Sequence, residues 1–267
     1  MPGKDVVQFT QISDIHLGGD YKGFFPVEEN FKQVLDWAPA DSYLIITGDL
    51  ADNNHREHYE RIKRDVEAKF NDRYSVLPGN HDDVNVLNEV FAGHTSSFVY
   101  RGVPVSLIPT IWDESAGSEF GVGMDFFDDY DMLPGSIVFT HYPVFDTSHK
   151  FMNKHALSQP GKQRIRNLME KTKSSLLFCG HFHDCCKSEI TNTVTETHDM
   201  GHTEVRNGTE FVQYICPATQ CQIDPLSDMF VCSSKKPNGF TINVYVDTPT
   251  PQSVIRRSDV GVRRFVI

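Results

Sequence analysis

Polar side chains that bind metal ions follow five short apolar stretches of the sequence. Each stretch is typical of a buried β-strand, and the residues directly after it include Asp, Asn or His. Carboxylate, amide and imidazole ligands without a thiolate suit Mn, Fe or Zn in a reactive site rather than a structural zinc site. The candidate metal ligands are Asp14, His16, Asp49, Asn80, His141, His181 and His183.

The number of these candidates predicts two divalent or trivalent transition-metal ions. Seven groups are too many for one ion, but they suit two ions that share a bridging carboxylate. Two ions about 3.5–4 Å apart can clamp the attacking and leaving oxygens of an in-line phosphoryl displacement. His81 stands beside the candidate ligand Asn80 and is free to transfer protons, so we predict that it is the catalytic residue. The sequence therefore predicts a phosphoester hydrolase with a dinuclear centre of Mn, Fe or Zn.

An α/β fold would bring these strand ends together. The first part of the chain alternates apolar runs with helical patterns, and ligands of open α/β sheets bind beyond the carboxyl ends of the strands. Helical patterns lie around residues 31–38 and 55–70, and a third begins at Ser158, which Pro160 follows. The predicted strands of this part are Val6–Ile12, Tyr43–Thr47, Tyr74–Leu77, Ser136–Thr140 and Ser175–Cys179.

Glycines indicate where the chain reverses. Gly48, Gly79 and Gly180 each stand one residue before a candidate ligand, which predicts sharp turns. Two hairpins are predicted, because Arg101-Gly102 and Arg206-Asn207-Gly208 each separate two strand-like runs. The paired runs are Phe98–Tyr100 with Val103–Ile108, and Thr203–Val205 with Thr209–Ile215.

Together these elements predict one α/β domain over residues 1–267. After the helical patterns end, the chain continues with strands, of which Phe240–Val246 is the last that we predict. We expect a sandwich of two packed sheets, one mostly parallel and one more antiparallel, with helices on the outside.

The chain is acidic, with 25 Lys and Arg against 36 Asp and Glu and a net charge of −11. This charge disfavours binding to nucleic-acid polymers and to anionic membranes, although a bound metal can still attract a small phosphorylated substrate. No apolar run has the length of a membrane span and no signal-peptide core follows the first residues, so we expect a cytoplasmic protein. The expected partner is a small phosphoester, and a homodimer is left open.

Six cysteines lie in the last third of the chain, and we expect reduced thiols rather than disulfides. Cys185 and Cys186 are adjacent and lack the spacing of a zinc-binding pair. Thiol catalysis is not expected, because no partner pattern accompanies any of them. The cysteines are Cys179, Cys185, Cys186, Cys216, Cys221 and Cys232.

The motifs around the candidate ligands resemble, in order, the sequence blocks of the calcineurin-like metallophosphoesterase superfamily. Those blocks are Asp-x-His, Gly-Asp, Gly-Asn-His-Asp/Glu, His and Gly-His-x-His, and the resemblance covers residues 6–246. Within the superfamily the chain is most similar to the bacterial class III cyclic-nucleotide phosphodiesterases. The resemblance is carried by Asp14-Ile15-His16, Gly48-Asp49, Gly79-Asn80-His81-Asp82, His141 and Gly180-His181-Phe182-His183.

The resemblance implies a four-layer αββα sandwich and two metal ions that share Asp49. It implies in-line attack of a metal-bound hydroxide on a 3′,5′-cyclic nucleotide, cAMP or cGMP, with His81 contacting the substrate phosphate and assisting the leaving group. The implied ligands are Asp14, His16, Asp49 and His183 for the first ion, and Asp49, Asn80, His141 and His181 for the second.

Other substrates and one other function class stay open. The alternatives are 2′,3′-cyclic nucleotides, glycerophosphodiesters or a phosphomonoester. A non-catalytic scaffold is also known in the superfamily, which includes a retromer-type subunit, but loss of ligands would be expected there and none is lost in this chain. A nuclease fits poorly with the net charge of −11.

Two departures from the family pattern bear on the substrate. His141-Tyr142-Pro143 lacks the further histidine that usually follows at this point, which would reshape the pocket wall. The acidic loop 112–131 replaces a clearer amphipathic helix. We interpret the loop either as a solvated segment or as a lid that discourages long polyanionic substrates.

Overall fold

The computed structural model describes residues 5–19, 26–110, 130, 132–191, 193–198, 200, 202–203, 209–219, 222–223, 232–234, 237–246, 255 and 260–266. The acidic loop 112–131, apart from Tyr130, lies outside these residues, and both interpretations of it stay predictions. The turn Arg206-Asn207-Gly208 and Cys221 also lie outside them.

The described residues form fifteen strands and five helices. The strands are β1 (Asp5–Ile12), β2 (Tyr43–Thr47), β3 (Tyr74–Leu77), β4 (Phe98–Tyr100), β5 (Val103–Ile108), β6 (Ile137–Thr140), β7 (Leu176–Cys179), β8 (Cys186–Ile190), β9 (Val194–His198), β10 (His202–Thr203), β11 (Phe211–Ile215), β12 (Gln222–Ile223), β13 (Cys232–Ser234), β14 (Asn238–Val246) and β15 (Val260–Val266). The helices are α1 (Val27–Trp37), α2 (Arg56–Phe70), α3 (Val84–Val90), α4 (Lys150–Asn153) and α5 (Gln159–Thr172).

Two large mixed sheets form the centre of the fold. Within the described residues, the first sheet has the strand order β10-β15-β14-β1-β2-β3 and the second has the order β4-β5-β6-β7-β11-β8-β9. The strands β1, β2 and β3 are parallel to one another, and so are β5, β6, β7 and β11. A short pair, β12 with β13, forms a separate ribbon.

Along each central strand, alternate side chains face the core between the two sheets and the helices outside. In β2, Ile45 packs in the core between the two sheets, whereas Leu44 and Ile46 pack on the outer side with α1 and α2. In β6, Phe139 faces the core between the sheets and Val138 faces α5. Strands that are buried on both faces have continuous apolar sequences, which is why they could be predicted from the sequence. The result is the predicted αββα sandwich of two sheets between layers of helices.

The helices cover the outer faces through apolar stripes in otherwise polar sequences. In α2, Tyr59, Ile62, Val66 and Phe70 are buried at helical spacing. The predicted start of α5 is confirmed, since the hydroxyl of Ser158 accepts a hydrogen bond of 3.2 Å from the backbone N–H of Gly161. No helix in the described ranges has the length and apolar character that a membrane span requires.

The predicted division into a parallel and an antiparallel sheet is wrong. Both large sheets are mixed: in the first sheet β1, β2 and β3 form a parallel side and the other strands are antiparallel, whereas the second sheet has a parallel centre with antiparallel strands at both edges. The hairpin between 98–100 and 103–108 is confirmed. The hairpin between 203–205 and 209–215 is wrong, because β10 pairs with β15 in the first sheet and β11 lies between β7 and β8 in the second. Both edges of β11 are therefore occupied by other strands.

The four cysteines whose side chains are described agree with the prediction of reduced thiols. They are buried and form no disulfide with one another. Burial raises the pKa of the Cys179 and Cys216 thiols well above its usual value, which opposes a nucleophilic role for either. The four are Cys179, Cys185, Cys186 and Cys216.

Candidate functional site

Loops that follow five parallel strands meet at one edge of the sandwich. The strands β1, β2 and β3 of the first sheet and β6 and β7 of the second end there. Backbone hydrogen bonds join the loops: Asp14 donates to the carbonyl of Gly48 at 3.0 Å, and Gly180 donates to that of His141 at 2.9 Å. All seven predicted metal ligands lie in these loops and gather into two adjoining clusters.

The first cluster consists of Asp14, His16 and His183. One possible ligand atom of each residue lies within 4.8 Å of those of the other two. Nε2 of His183 is 3.3 Å from Oδ1 of Asp14, and the His16 and His183 ring centroids are 5.4 Å apart. All three residues are buried. Buried carboxylates need a compensating positive charge, which a cation at the centre of this cluster would provide.

The second cluster consists of Asp49, His141 and His181, with Asn80 beside it. Nε2 of His141 lies 3.5 Å from Oδ2 of Asp49 and 3.2 Å from Oδ1 of Asn80. The three cluster residues are buried, and possible ligand atoms of all three lie within 4.8 Å of one another. The amide oxygen of Asn80 therefore adds a neutral donor to a carboxylate and two imidazoles.

Asp49 joins the two clusters. Its Oδ2 lies 3.5 Å from Nε2 of His16 in the first cluster and 3.5 Å from Nε2 of His141 in the second. Its Oδ1 accepts a hydrogen bond of 2.9 Å from the backbone N–H of His81, which fixes the carboxylate. One oxygen thus faces a histidine of each cluster, which is the placement that a bridging ligand needs.

The electrostatics of the clusters favour ionised carboxylates and attract positive charge. Burial raises the pKa of Asp14, but His183 outweighs that effect and the value falls to about 2. Burial lowers the pKa of His141, but the Asp49 carboxylate outweighs it and raises the value to about 9. Burial lowers the pKa of His181 to about 3, which keeps this imidazole in the neutral form that binds metals.

Transition-metal ions fit the residues that are present. Oδ1 of Asp14 is buried and lies 3.3 Å from Nε2 of His183, without a well-formed hydrogen bond among the described residues, so a cation bound there would stabilise it. Carboxylate, imidazole and amide donors are the set that Mn, Fe and Zn prefer. The ligand roles of the individual residues stay predictions.

Two of the histidines are oriented by backbone carbonyls. Nδ1 of His141 donates to the carbonyl of Thr47 at 2.7 Å, which leaves Nε2 for a metal. Nε2 of His181 donates to the carbonyl of His155 at 3.0 Å, which leaves Nδ1. Metal-binding histidines are commonly fixed through their second nitrogen in this way.

Most of the candidate ligands have a left-handed backbone conformation. Five of the seven have φ between 50° and 67°, a region that Asp and His tolerate better than other non-glycine residues. Such residues cost on the order of 1–3 kcal/mol each and cluster at functional sites, where the surrounding structure enforces them. The five are Asp14, His16, Asp49, His181 and His183.

The three glycines before the ligands have different roles. Gly48 has φ +94°, so its sharp turn is confirmed. Gly79 and Gly180 also begin turns, since backbone hydrogen bonds run from Asp82 to Gly79 at 3.4 Å and from Phe182 to Gly180 at 2.8 Å, but neither glycine has a positive φ. They are needed for space: a Cβ at Gly79 would overlap Asp49, and a Cβ at Gly180 would overlap Ser13.

His81 lies at the edge of the site and pairs with a carboxylate that sequence reasoning missed. Nδ1 of His81 is 2.7 Å from Oδ1 of Asp52, and its side chain is 40% exposed. The same Asp52 oxygen lies 2.9 Å from Nδ1 of His16. Burial lowers the pKa of His81, but the hydrogen bond to Asp52 outweighs it and the net pKa is raised. Asp52 thus orients one candidate ligand and the candidate catalytic histidine together.

Asp82 is a second residue that sequence reasoning did not assign. Its carboxylate accepts hydrogen bonds from the backbone N–H groups of Gly79, Leu50 and Ala51 at 2.8, 2.9 and 3.1 Å. It therefore ties the loop after β3 to the loop after β2. Asp82 ends the quoted motif Gly79-Asn80-His81-Asp82, and Asp52 follows Asp49 closely in the sequence, so an acidic residue soon after a ligand was the available signal.

Tyr142 directly follows His141, where this chain departs from the family pattern. Its ring packs against those of His141 and His181, with centroid distances of 4.9 and 4.5 Å, and it is buried. The side chain supports two candidate ligands from within the protein. The predicted reshaping of the pocket wall stays a prediction.

Comparisons with known proteins agree with this geometry. The family model described as calcineurin-like phosphoesterase matches residues 7–185, which is more than half of the chain. A relative from Fibrobacter succinogenes, named as a probable cyclic nucleotide phosphodiesterase, is 26% identical over 246 residues and 88% of each chain. One from Colwellia psychrerythraea with the same name is 26% identical over 262 residues, 92% of this chain and 93% of the relative. A Nostoc protein named as a 3′,5′-cyclic-nucleotide phosphodiesterase is 22% identical over 256 residues, 90% of this chain and 89% of its own.

Among solved structures, the fold is similar to that of a purple acid phosphatase from yellow lupin, with a TM-score of 0.56 at 14% identity. The match covers 98% of this chain and 54% of the lupin protein, so the chain spans about half of that protein's length. At this identity the likeness concerns the fold alone.

Proposed function

We propose that this chain, which belongs to the calcineurin-like phosphoesterase family, is a phosphodiesterase that depends on two metal ions. It hydrolyses a small phosphodiester, and the substrate that we favour is a 3′,5′-cyclic nucleotide. The observation that carries the proposal is the position of Asp49, whose Oδ2 lies 3.5 Å from a histidine of each buried cluster. Relatives named as cyclic nucleotide phosphodiesterases match almost the whole chain, which supports the substrate class.

Each cluster would hold one ion. When bound, two such ions supply positive charge that stabilises the negative charge developing in an in-line phosphoryl displacement. Their identity is among Mn, Fe and Zn, since these metals share the donor preferences of the site. Asp14, His16, Asp49 and His183 would hold the first ion, and Asp49, Asn80, His141 and His181 the second.

His81 would handle the proton of the leaving group. Its Nδ1 is engaged by Asp52 at 2.7 Å, which leaves Nε2 to carry the proton that the departing ribose oxygen needs. The partial exposure of the ring places it where a substrate can reach it. Asp52 would orient the ring through Nδ1–H and stabilise the imidazolium that donates from Nε2, and Asp49 accepts the backbone N–H of the same residue.

A substrate panel tests this proposal. Purified protein loaded with Mn²⁺ is assayed against 3′,5′-cyclic AMP and GMP, 2′,3′-cyclic nucleotides, glycerophosphodiesters and a phosphomonoester. We expect the highest kcat/KM for a 3′,5′-cyclic nucleotide. A clear preference for the phosphomonoester would contradict the diesterase assignment, and inactivity towards the whole panel with the metals bound would favour a non-catalytic scaffold.

A further inference from the structure

A second group of metal-binding side chains lies directly after the active-site loop and shares no residue with it. Asp184 follows the candidate ligand His183, Cys186 begins β8, and His198 ends β9. Possible ligand atoms of these three residues lie within 4.8 Å of one another. His149, which precedes α4, approaches the same carboxylate. We refer to Asp184, Cys186, His198 and His149 as the β8–β9 cluster.

The strand register brings the β8–β9 cluster together. Cys186 and His198 are direct partners in the antiparallel pair of β8 and β9, so their side chains stand on the same face of the sheet. Nδ1 of His198 lies 2.7 Å from Oδ2 of Asp184. Nε2 of His149 lies 3.3 Å from the same oxygen. Both histidines thus approach the same oxygen of Asp184.

His149 gives an independent indication of a ligand. The residue is 1% exposed, and its Nε2 makes no hydrogen bond to any residue that the structure describes, although it faces the Asp184 carboxylate. A cation bound between this buried nitrogen and the Asp184 carboxylate would satisfy the imidazole. Cys186 is fully buried, so its thiol is shielded from solvent oxidants.

Glu196 lies outside the β8–β9 cluster and holds His198 in position. Oε2 of Glu196 lies 3.2 Å from Nε2 of His198 and accepts hydrogen bonds from the backbone N–H and the hydroxyl of Ser148 at 3.1 and 2.8 Å. A carboxylate on the second nitrogen of a histidine is the usual support for a zinc ligand. His198 therefore has one nitrogen for the cluster and the other fixed from behind.

We propose that the β8–β9 cluster is a third metal site, which binds a Zn²⁺-class ion through one thiolate, two imidazoles and one carboxylate. Four protein ligands of this kind satisfy tetrahedral zinc completely and leave no open position, so the site is structural rather than catalytic. It fixes the β8–β9 hairpin to the loop that carries His183. The alternative is a metal-free ion-pair network in which protonated His198 lies between Asp184 and Glu196.

Cobalt absorption distinguishes the two arrangements. Co²⁺ bound to a thiolate gives a sulfur-to-metal charge-transfer band in the near ultraviolet, and none of the active-site candidates is a cysteine. The full chain, depleted of metal and titrated with Co²⁺, should show this band. Cys186→Ser should remove the band, whereas Cys185→Ser, which changes the adjacent buried thiol, should keep it. Asp49→Asn should also keep it, which separates this proposal from the proposed phosphodiesterase function.

Two further variants protect the test against misfolding. His198→Asn changes a partly exposed position and should remove or strongly weaken the band. Glu196→Gln should weaken Co²⁺ binding by about 10–100-fold while the protein stays folded. Zinc analysis of the protein as purified should give about one ion per chain fewer in Cys186→Ser than in Cys185→Ser. A folded wild-type protein without the band, or a band that survives Cys186→Ser, would overturn the third site.

Discussion

His81→Ala is expected to slow hydrolysis without removing the metals. The side chain is 40% exposed, so its loss should leave the fold nearly unchanged. General acid assistance is worth about 10²–10⁴-fold in turnover, or about 2.7–5.4 kcal/mol at about 1.36 kcal/mol for each factor of ten. The loss should depend on the substrate, because a ribose oxygen needs a proton to depart, whereas a nitrophenolate does not.

The assay compares kcat for a 3′,5′-cyclic nucleotide and for an activated aryl phosphodiester, together with metal content. His55→Ala serves as the matched control, since that histidine is exposed and its side chain does not cap α2.

Asp52→Asn should combine two effects, because Asp52 contacts both His16 and His81. It should reduce metal affinity by about 10–100-fold and also lower turnover of the metal-loaded protein.

Equal losses of His81→Ala on both substrates would refute the proton-transfer role and leave only positioning of the phosphate. Loss of metal from the same variant would show that His81 is a ligand.

Two other predictions concern the packing around the site and a helix remote from it. Gly79→Ala places a Cβ against Asp49; we expect a destabilisation of about 1–3 kcal/mol in thermal denaturation. The substitution should also cause a large loss of turnover. Wild-type activity in Gly79→Ala would contradict the close approach of Gly79 to Asp49. Ser158→Ala removes the side-chain cap of α5; it should cost about 1 kcal/mol, a shift in Tm of about 2–4 °C, with turnover and metal content unchanged. A change in metal content there would contradict the separation of α5 from the site.

The sequence was sufficient to predict that the candidate ligands gather at one edge of the fold. Strands such as β2 and β6 are buried on both faces, so their apolar runs end sharply where Asp49 and His141 begin. Because parallel strands present their carboxyl ends at one edge, these residues could be expected to converge. The five strand ends were therefore visible without knowledge of which sheet contains each strand.

Strand pairing was less accessible, because it depends on competition among distant segments. A glycine turn predicted that the runs on either side of residues 206–208 pair with each other, yet β10 pairs with β15, and β11 pairs with β7 and β8. The β8–β9 cluster was hidden because neither β8 nor β9 was predicted from the sequence. Cys186 and His198 lie at the two ends of this hairpin, and only its register makes them direct partners.

The role of Asp52 could not be predicted from the sequence for a different reason. An aspartate shortly after a strand is commonly a turn residue or a helix cap, and nothing in its type or spacing indicates that one oxygen contacts two histidines. The distances of 2.9 Å to His16 and 2.7 Å to His81 make that assignment.

The most direct test of the central claim is the metal content of Asp49→Ala. Oδ2 of Asp49 lies 3.5 Å from a histidine of each cluster, and the proposal is that this carboxylate bridges both ions. Plasma mass spectrometry of purified protein should find about two fewer ions per chain in Asp49→Ala than in wild type. Asn80→Ala, which alters one cluster alone, should lose about one. Retention of the full complement by Asp49→Ala would contradict a dinuclear centre bridged by this residue.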